Sequence, residues 1–184
     1  MDARAALVIA ALKLLEESGE SSFSTRAACA IAGVTAPTLY HHFGTADGLL
    51  SAAIEAAFAE FLKSKEKQAN ERDLIKALRG GWDDYVAFAA ARPKLYTAMF
   101  ARFLQSGDIP AARQSRAILE DRLTRIAAAG GLALPVTAAA DLVWASAHAA
   151  AILYVTGATP PLPKTVTVLR EAAMSTVLKA AKKA

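Results

Sequence analysis

The chain has little that would tie it to an oxidising compartment or to a membrane. Its 184 residues include a single cysteine, Cys29, which cannot form an internal disulfide, so a reduced cytoplasmic location is expected. The longest uncharged stretch, LVWASAHAAAILYVTGATPPLP, breaks at Gly157 and a proline cluster, short of the roughly 20 apolar residues that cross a bilayer. The apolar stretch near the start is interrupted by Arg4 and Lys13 and does not fit a signal peptide. We therefore predict a soluble protein without membrane contact.

The sequence also lacks long runs of alternating apolar and polar residues, so no β-strand is predicted. Hydrophobic residues make up 54% and charged residues 21% of the chain, which excludes a disordered protein, and the alanine excess favours helix. We predict an all-α protein of about nine helices. Eight of these lie near residues 3–18, 26–32, 36–43, 73–91, 94–105, 110–129, 136–157 and 164–182. The fourth helix is expected to be capped by Thr45 and to finish in a solvated end at Lys63, Lys65, Glu66 and Lys67.

The most informative segment is IAGVTAPTLYHHF, residues 31–43. Gly33 supplies the positive φ of a tight turn, and Pro37 falls in the first turn of the next helix, where its missing N–H costs nothing. Leu39 and Phe43 are four residues apart and share a face that can pack on the preceding helices. The other face is polar, which is typical of the second helix of a helix-turn-helix that enters the major groove of DNA.

Two kinds of DNA contact are expected from this segment. Hydroxyl groups and helix N-termini bind phosphate oxygens, whereas exposed side chains of the second helix reach base edges. Thr25 and Thr35 are also expected to cap the two helices. The residues assigned to phosphate are Thr25, Thr35 and Tyr40, those assigned to bases are Ala36, Pro37, Thr38 and His41, and Arg26 completes the predicted DNA-binding set.

The charge of this region is unusual for a protein that grips a polyanion. Residues 1–47 carry three Lys and Arg against five Asp and Glu, a net charge of −2, although the whole chain carries +4. Phosphate neutralisation supplies most non-specific DNA affinity. Binding by this segment would therefore depend on specific contacts.

Residues 23–50, FSTRAACAIAGVTAPTLYHHFGTADGLL, resemble the DNA-binding segment of TetR-family transcriptional regulators. The resemblance implies a homodimer that binds a palindromic operator, with an α-helical C-terminal domain that binds an effector and dimerises. We accordingly assign residues 1–47 to a three-helix DNA-binding domain and residues 48–184 to ligand binding and dimerisation. One departure is Ala46, where many family members carry a lysine.

The larger domain contains a cluster of aromatic residues. Their helical spacing is typical of an ordinary core, but bulky side chains with polar tips beside many alanines also suit a pocket for a small, largely apolar ligand. Both interpretations remain open for each residue. LVWASAHAAAILY further resembles the Trp-x-x-x-His, WHG-like subgroup of the family. The predicted ligand-binding residues are Trp82, Tyr85, Tyr96, Met99, Phe103, Trp144 and His148.

Small residues in the last two predicted helices allow helices to approach closely. Such faces suit a two-fold, four-helix interface between subunits, and packing within one chain would explain them equally well. The family resemblance favours the dimer. The predicted interface residues are Ala147, Ala151, Tyr154, Leu169, Ala173, Thr176 and Val177.

Other conspicuous residues have plainer interpretations. Adjacent helical residues such as His41 and His42 point about 100° apart and do not make a metal pair. Cys29 fits a small buried hydrophobe. The arginines of the seventh helix, Arg113, Arg116, Arg122 and Arg125, favour a solvated face over an anion site.

Three function classes remain open from the sequence. The leading hypothesis is a ligand-responsive transcriptional repressor whose partners are operator DNA, a small effector and a second copy of the chain. The alternative is a small-molecule binding or sequestering protein with a weakened DNA-binding head. An enzyme has little support, because His148 lacks a nucleophile or carboxylate at helical spacing. No catalytic residue, metal or cofactor is predicted.

Overall fold

The computed structural model describes residues 2–66, 71–106, 109–157 and 159–180. Nine α-helices and one short 3₁₀ helix account for nearly all of these residues, which confirms the predicted all-α fold. Lys67, expected at the end of the fourth helix, and residues 181–182 of the predicted last helix lie outside the described residues. The helices are α1 (Ala3–Ser18), the 3₁₀ helix (Glu20–Ser22), α2 (Thr25–Ala32), α3 (Ala36–Phe43), α4 (Ala46–Glu66), α5 (Leu74–Ala91), α6 (Pro93–Ser106), α7 (Pro110–Ala128), α8 (Val136–Thr156) and α9 (Pro163–Val177).

Polar side chains cap several helix starts. Thr45 Oγ1 accepts the Gly48 N–H at 2.9 Å, which confirms the cap predicted for α4. The cap of α2 is Ser24 rather than Thr25, because Ser24 is the last extended residue and its hydroxyl accepts the Ala27 N–H at 3.4 Å. Thr25 is already the first helical residue.

The end of α9 differs from its prediction. The helix stops at Val177, because Leu178 pairs with Leu132 in an isolated antiparallel β-bridge. Ala133 N–H donates to the Val177 carbonyl at 2.9 Å, and Lys179 N–H donates to the Gly131 carbonyl at 2.9 Å. Tertiary hydrogen bonds therefore end the helix that the alanine-rich sequence would have extended.

The chain divides into two compact units. The first, Met1–Phe61 with Arg92–Ala111, contains α1 to α3, most of α4, and α6. It is larger than the predicted domain 1–47, because α6 packs on α1. The fully buried leucines of this unit are Leu7, Leu15, Leu39, Leu49 and Leu95.

Ion pairs reinforce the first unit. Arg92, just before α6, makes a bidentate contact with Glu60 of α4 at 2.8 and 3.0 Å and reaches Glu16 of α1 at 3.4 Å. Lys94 Nζ donates to the Glu17 carbonyl near the end of α1. Most of these groups are partly exposed, so they fix orientation more than they add stability.

The second unit, Leu62–Ala91 with Ala112–Ala184, is built on α5, α8 and α9, with α7 contributing to its core. Trp82 Nε1 donates to Ser146 Oγ at 2.9 Å and so joins α5 to α8. Arg170 of α9 pairs with Asp83 of α5 at 2.6 Å. The two helices that flank α5 are thus tied to it by directional bonds as well as by apolar packing.

One helix, α8, is largely apolar in sequence, with Asp141 as its one charged residue. By length and composition alone it is able to cross a membrane, but only 33% of its most apolar window is buried in this chain, and core helices pass the same test. Its buried face carries Ala139, Val143, Ala147 and Ala150. On its other side, Trp144, Ala145 and Ala149 are exposed.

Candidate functional site

The helix-turn-helix is set by one glycine and one leucine. Gly33 adopts the left-handed conformation, with φ 67° and ψ 33°, and its N–H bonds the Cys29 carbonyl to end α2. Leu39, in the middle of α3, is 0% exposed. The turn therefore places α3 so that the face carrying Leu39 packs against the first unit.

The opposite face of α3 is open to solvent, as the sequence pattern predicts. Tyr40 is 49% exposed, and its neighbour His41 is exposed as well. Thr35, Ala36 and Pro37 are also exposed. The structure thus gathers five of the predicted DNA-contacting residues on one uncovered surface.

Thr38 sits less openly than its neighbours. It is half-buried, and its hydroxyl lies 3.0 Å from the hydroxyl of Thr35. Thr35 occupies the N-cap position but makes no capping bond with its side chain, so that part of the prediction is wrong. The hydroxyl pair fixes two side chains that would otherwise rotate freely.

The start of α2 supplies the other two predicted contacts. Arg26 is exposed and Thr25 is half-buried in the first turn of α2. Arg4, which the sequence reasoning missed, lies near the end of α3, with its guanidinium 5.3 Å from the Phe43 ring centroid. No local sequence signal reveals this contact, because it joins the first turn of α1 to the last residue of α3.

The two adjacent histidines of α3 make an edge-to-face contact. Their ring centroids are 5.3 Å apart at 68°, and His42 also meets the Phe43 ring at 6.3 Å. His42 is half-buried, consistent with a packing role. Within the described part of the chain, no group of three or more His, Cys, Asp or Glu is placed to hold a metal ion.

The predicted ligand-binding residues divide between the two units. In the first unit, Tyr96 and Met99 are buried and Phe103 is half-buried on α6. The rings of Tyr96 and Phe100 are stacked at 6.5 Å, and those of Phe100 and Phe103 at 6.2 Å. These residues form an aromatic row along α6.

The other four predicted ligand-binding residues belong to the second unit. Trp82 is 2% exposed and bonded to Ser146, as expected of a satisfied core residue. Tyr85 is half-buried and packs against the same core. Trp144 lies on the outer side of α8, 37% exposed, with the His148 ring stacked on it at 5.4 Å and 1°. Burial lowers the pKa of His148 below its ordinary value.

Four of the predicted interface residues are buried within the chain itself. Ala147, Ala151, Ala173 and Val177 are all at most 5% exposed. These positions pack α8 and α9 inside their own unit, which matches the internal packing that the sequence left open. The remaining three are half-buried, for Tyr154 and Leu169, or exposed, for Thr176.

Arg122 departs from the solvated arginine face expected on α7. It is only 8% exposed, and its Nη1 donates to the Ala77 carbonyl of α5 at 2.7 Å. The signal was present in the sequence, because Arg122 shares a helical face with Leu119 and Ile126, three residues before it and four after it. An arginine inside an apolar stripe is expected to point inward.

The comparisons with known proteins match most of the chain. A family model described as "Bacterial regulatory proteins, tetR family" matches residues 7–53, and one described as "Tetracyclin repressor-like, C-terminal domain" matches residues 78–177. Among curated proteins, none matches this sequence.

Solved structures share the fold at low sequence identity. A protein of unknown function from Rhodococcus sp. RHA1 has a TM-score of 0.83 and 22% identity, covering 97% of both chains. A TetR family regulator from Marinobacter aquaeolei VT8 has a TM-score of 0.73 and 17% identity, covering 97% of this chain and 96% of that one. FadR from Bacillus subtilis, solved with stearoyl-CoA, has a TM-score of 0.73 and 17% identity, covering 94% and 98%. With the helix-turn-helix and the helical second unit in place, the two family models together identify this chain as a member of the TetR family of transcriptional regulators.

Proposed function

We propose that the protein is a ligand-responsive repressor that binds a palindromic operator as a homodimer and leaves it when a small effector binds. The observation that carries the proposal is the outward face of α3, where Tyr40 is 49% exposed while Leu39 is fully buried. A polar face held in the open by a buried anchor is what insertion into a major groove requires. Such a protein would act where the DNA is, in the cytoplasm.

The proposed interface uses the outer sides of α8 and α9. Trp144 is 37% exposed, Leu162 is 73% and Val168 is 57%, so large apolar side chains are left open on these helices or at their ends. Exposed apolar surface of this kind is typical of interaction sites. A two-fold dimer would need to hold its recognition helices roughly 34 to 36 Å apart to reach successive major grooves.

The proposed effector is small and largely apolar. Trp144 and His148 support membership of the WHG-like subgroup, and FadR, which shares the fold, was solved with stearoyl-CoA. An effector that binds the two states of the dimer with a difference of about 1 to 3 kcal/mol would change operator affinity roughly 5- to 150-fold. This mechanism requires no catalytic step from the protein.

The test is a gel shift with the DNA upstream of the chain's own gene. The wild-type protein is expected to form a complex that weakens as salt rises and survives competitor DNA. The variant Tyr40→Ala with His41→Ala should lose it, while Glu55→Gln, on the exposed side of α4, should retain it. The absence of any specific complex with wild-type protein would overturn the proposal.

A second function is favoured by the charge of the first 47 residues. Their net charge is −2, and Ala46 stands where many family members carry a phosphate-binding lysine. Retained ligand binding without any specific DNA complex would then favour a small-molecule sequestering protein. The same gel shift, paired with calorimetry, separates the two.

A further inference from the structure

Arg4 is an exposed cation at the C-terminal end of α3 that the proposed function has not used. It lies in the first turn of α1, and its guanidinium carbon is 5.3 Å from the ring centroid of Phe43, the last residue of α3. Cation–π contacts extend to about 6 Å from a ring centroid. The Phe43 ring therefore holds a positive charge beside the helix that is proposed to enter DNA.

The hydrogen-bond donors of Arg4 are not used by the described part of the chain. Within it, Arg4 forms no ion pair and no side-chain hydrogen bond, and Asp2, exposed two residues earlier, does not pair with it. A contact with an aromatic ring occupies none of the five N–H donors of a guanidinium. These donors are therefore open to an anion from outside the chain.

Most acidic groups of the same region are matched by cations. Three of the five acidic residues among residues 1–47 form ion pairs, and two of the cations that pair with them belong to α6 or directly precede it. These pairs are Asp47 with Arg102 at 2.6 Å, Glu16 with Arg92 at 3.4 Å and Glu17 with Lys13 at 3.9 Å. The net charge of −2 therefore overstates how strongly this segment repels a phosphate.

The length of α3 brings its last turn close to a DNA backbone. Its eight residues span about 12 Å at 1.5 Å per residue, and the major groove is also about 12 Å wide. A helix of this length that fills the groove has its end residues near one of the two rows of phosphates. A guanidinium at that end meets the geometry that phosphate recognition requires, since it can donate two parallel hydrogen bonds.

From the exposed, unpaired guanidinium at the end of α3, we infer that Arg4, oriented by the Phe43 ring, binds a phosphate of the DNA backbone beside the groove that α3 enters. The contact adds affinity that does not depend on base sequence. The inference rests on the proposed DNA-binding function and names a further residue of that site.

Fluorescence anisotropy tests this with two duplexes, the DNA upstream of the chain's own gene and a random sequence of equal length, at roughly 50 to 200 mM salt. Arg4→Gln should weaken binding to both about tenfold and reduce the slope of log affinity against log salt by about one for each bound subunit. Arg4→Lys should keep most of the slope, because an ammonium also binds phosphate.

Lys13→Gln is the matched control. Lys13 is an exposed cation on the same helix, nine residues further on, and is paired with Glu17. It lies about 13.5 Å along α1 from Arg4, beyond the Debye length of about 10 Å at 0.1 M salt. This variant should leave the salt slope unchanged.

An unchanged slope for Arg4→Gln would overturn the inference, whatever happens to affinity, because a variant that only destabilised α1 would lower the active fraction without altering the slope. A loss for Arg4→Lys as large as that for Arg4→Gln would exclude charge as the cause. An equal loss for Lys13→Gln would reduce the effect to net charge. Either result would also overturn the inference.

The same data separate this contact from the proposed function. A specific operator complex whose slope does not depend on Arg4 would refute the contact and leave the repressor standing. A slope that depends on Arg4 on both duplexes, without preference for the upstream DNA, would refute the repressor and leave the contact standing. Wild-type protein that binds neither duplex would refute both.

Discussion

Arg102 of α6 donates from Nη2 to Asp47 Oδ1 at the start of α4, over 2.6 Å. The arginine side chain is 16% exposed and the aspartate side chain 68%. A helix distant in sequence is thereby joined to the first turn of α4, immediately after the DNA-binding segment. The hydrogen bond from Arg102 lowers the pKa of the Asp47 carboxyl below its ordinary value.

The first prediction concerns the pH dependence of this contact. Because the folded-state pKa is lowered, the stabilisation is present above the ordinary value of 3.8 and is lost as pH falls through the folded pKa. Asp47→Asn should lower the free energy of unfolding at pH 7 by no more than about 1 kcal/mol, because the carboxylate is largely exposed. Urea denaturation at pH 7 and at about pH 3 measures this. Glu55→Gln is the control, and an equal loss for Asp47→Asn at both pH values would contradict the prediction.

The second prediction concerns the turn of the helix-turn-helix. A Cβ on Gly33 would meet nothing within 4 Å, so only its φ of +67° disfavours a side chain. Gly33→Ala should cost about 1 to 2 kcal/mol, and Gly33→Asn less, since asparagine tolerates this conformation. Thermal denaturation of the two variants measures the difference, and equal losses would show that backbone strain is not the cause.

The third prediction separates the two roles assigned to α3. Tyr40→Phe should weaken binding to all operator variants by a similar factor, because phosphate contacts carry no sequence information. Thr38→Ala and His41→Ala should instead change the preferred base pairs, by about 1 to 3 kcal/mol at the contacted positions. Fluorescence anisotropy over a set of operator variants tests this. Uniform effects of all three would mean that the roles are misassigned.

The fourth prediction concerns the core bond between Trp82 and Ser146. Ser146→Ala should cost about 1 to 3 kcal/mol by leaving a buried indole N–H unsatisfied. Ser175→Ala is a matched control: both serines donate to the carbonyl three residues earlier, at 2.9 and 3.0 Å, but Ser175 is exposed. Chemical denaturation should show little change for the control. If the two variants lost equal stability, the hydrogen bond to the indole would not be the cause.

The fifth prediction concerns dimerisation. Val168→Asp places a charge on the proposed outer face of α9, where the valine is 57% exposed, and should weaken the dimer by about 2 kcal/mol or more. Ile9→Asp, at a site 55% exposed on α1, should leave it unchanged. Sedimentation velocity over a concentration series measures both. A wild-type protein that is monomeric at all concentrations would refute the interface.

Patterns that are local in sequence predicted most of the fold. The helices, the Gly33 turn, the Thr45 cap and the buried Leu39 all follow from spacing and capping preferences within a few residues. The cap of α2 was misplaced by one residue, because Ser24 and Thr25 are both good caps and only the backbone conformation decides between them.

Features that depend on tertiary packing could not be predicted from local sequence patterns. Trp144 was predicted to bind ligand, with core packing left open, but the buried face of α8 runs through Val143, Ala147 and Ala150, which turns Trp144 outward. The small residues of α8 and α9 fitted both a dimer and internal packing, and composition alone cannot choose between these. Arg122 was grouped with other arginines by charge, although its helical neighbours indicate burial.

The strand-like pairing of Leu132 with Leu178 holds the C-terminal end of α9 against the segment just before α8, at the open end of the hairpin formed by these two helices. One end of that hairpin is closed by the covalent chain and the other by two backbone hydrogen bonds, so α9 cannot swing away without breaking them. A truncation that removes Leu178 and all residues after it would break this pairing and loosen the surface that carries Val168. Fusion partners are therefore better attached beyond Lys179 than in place of it.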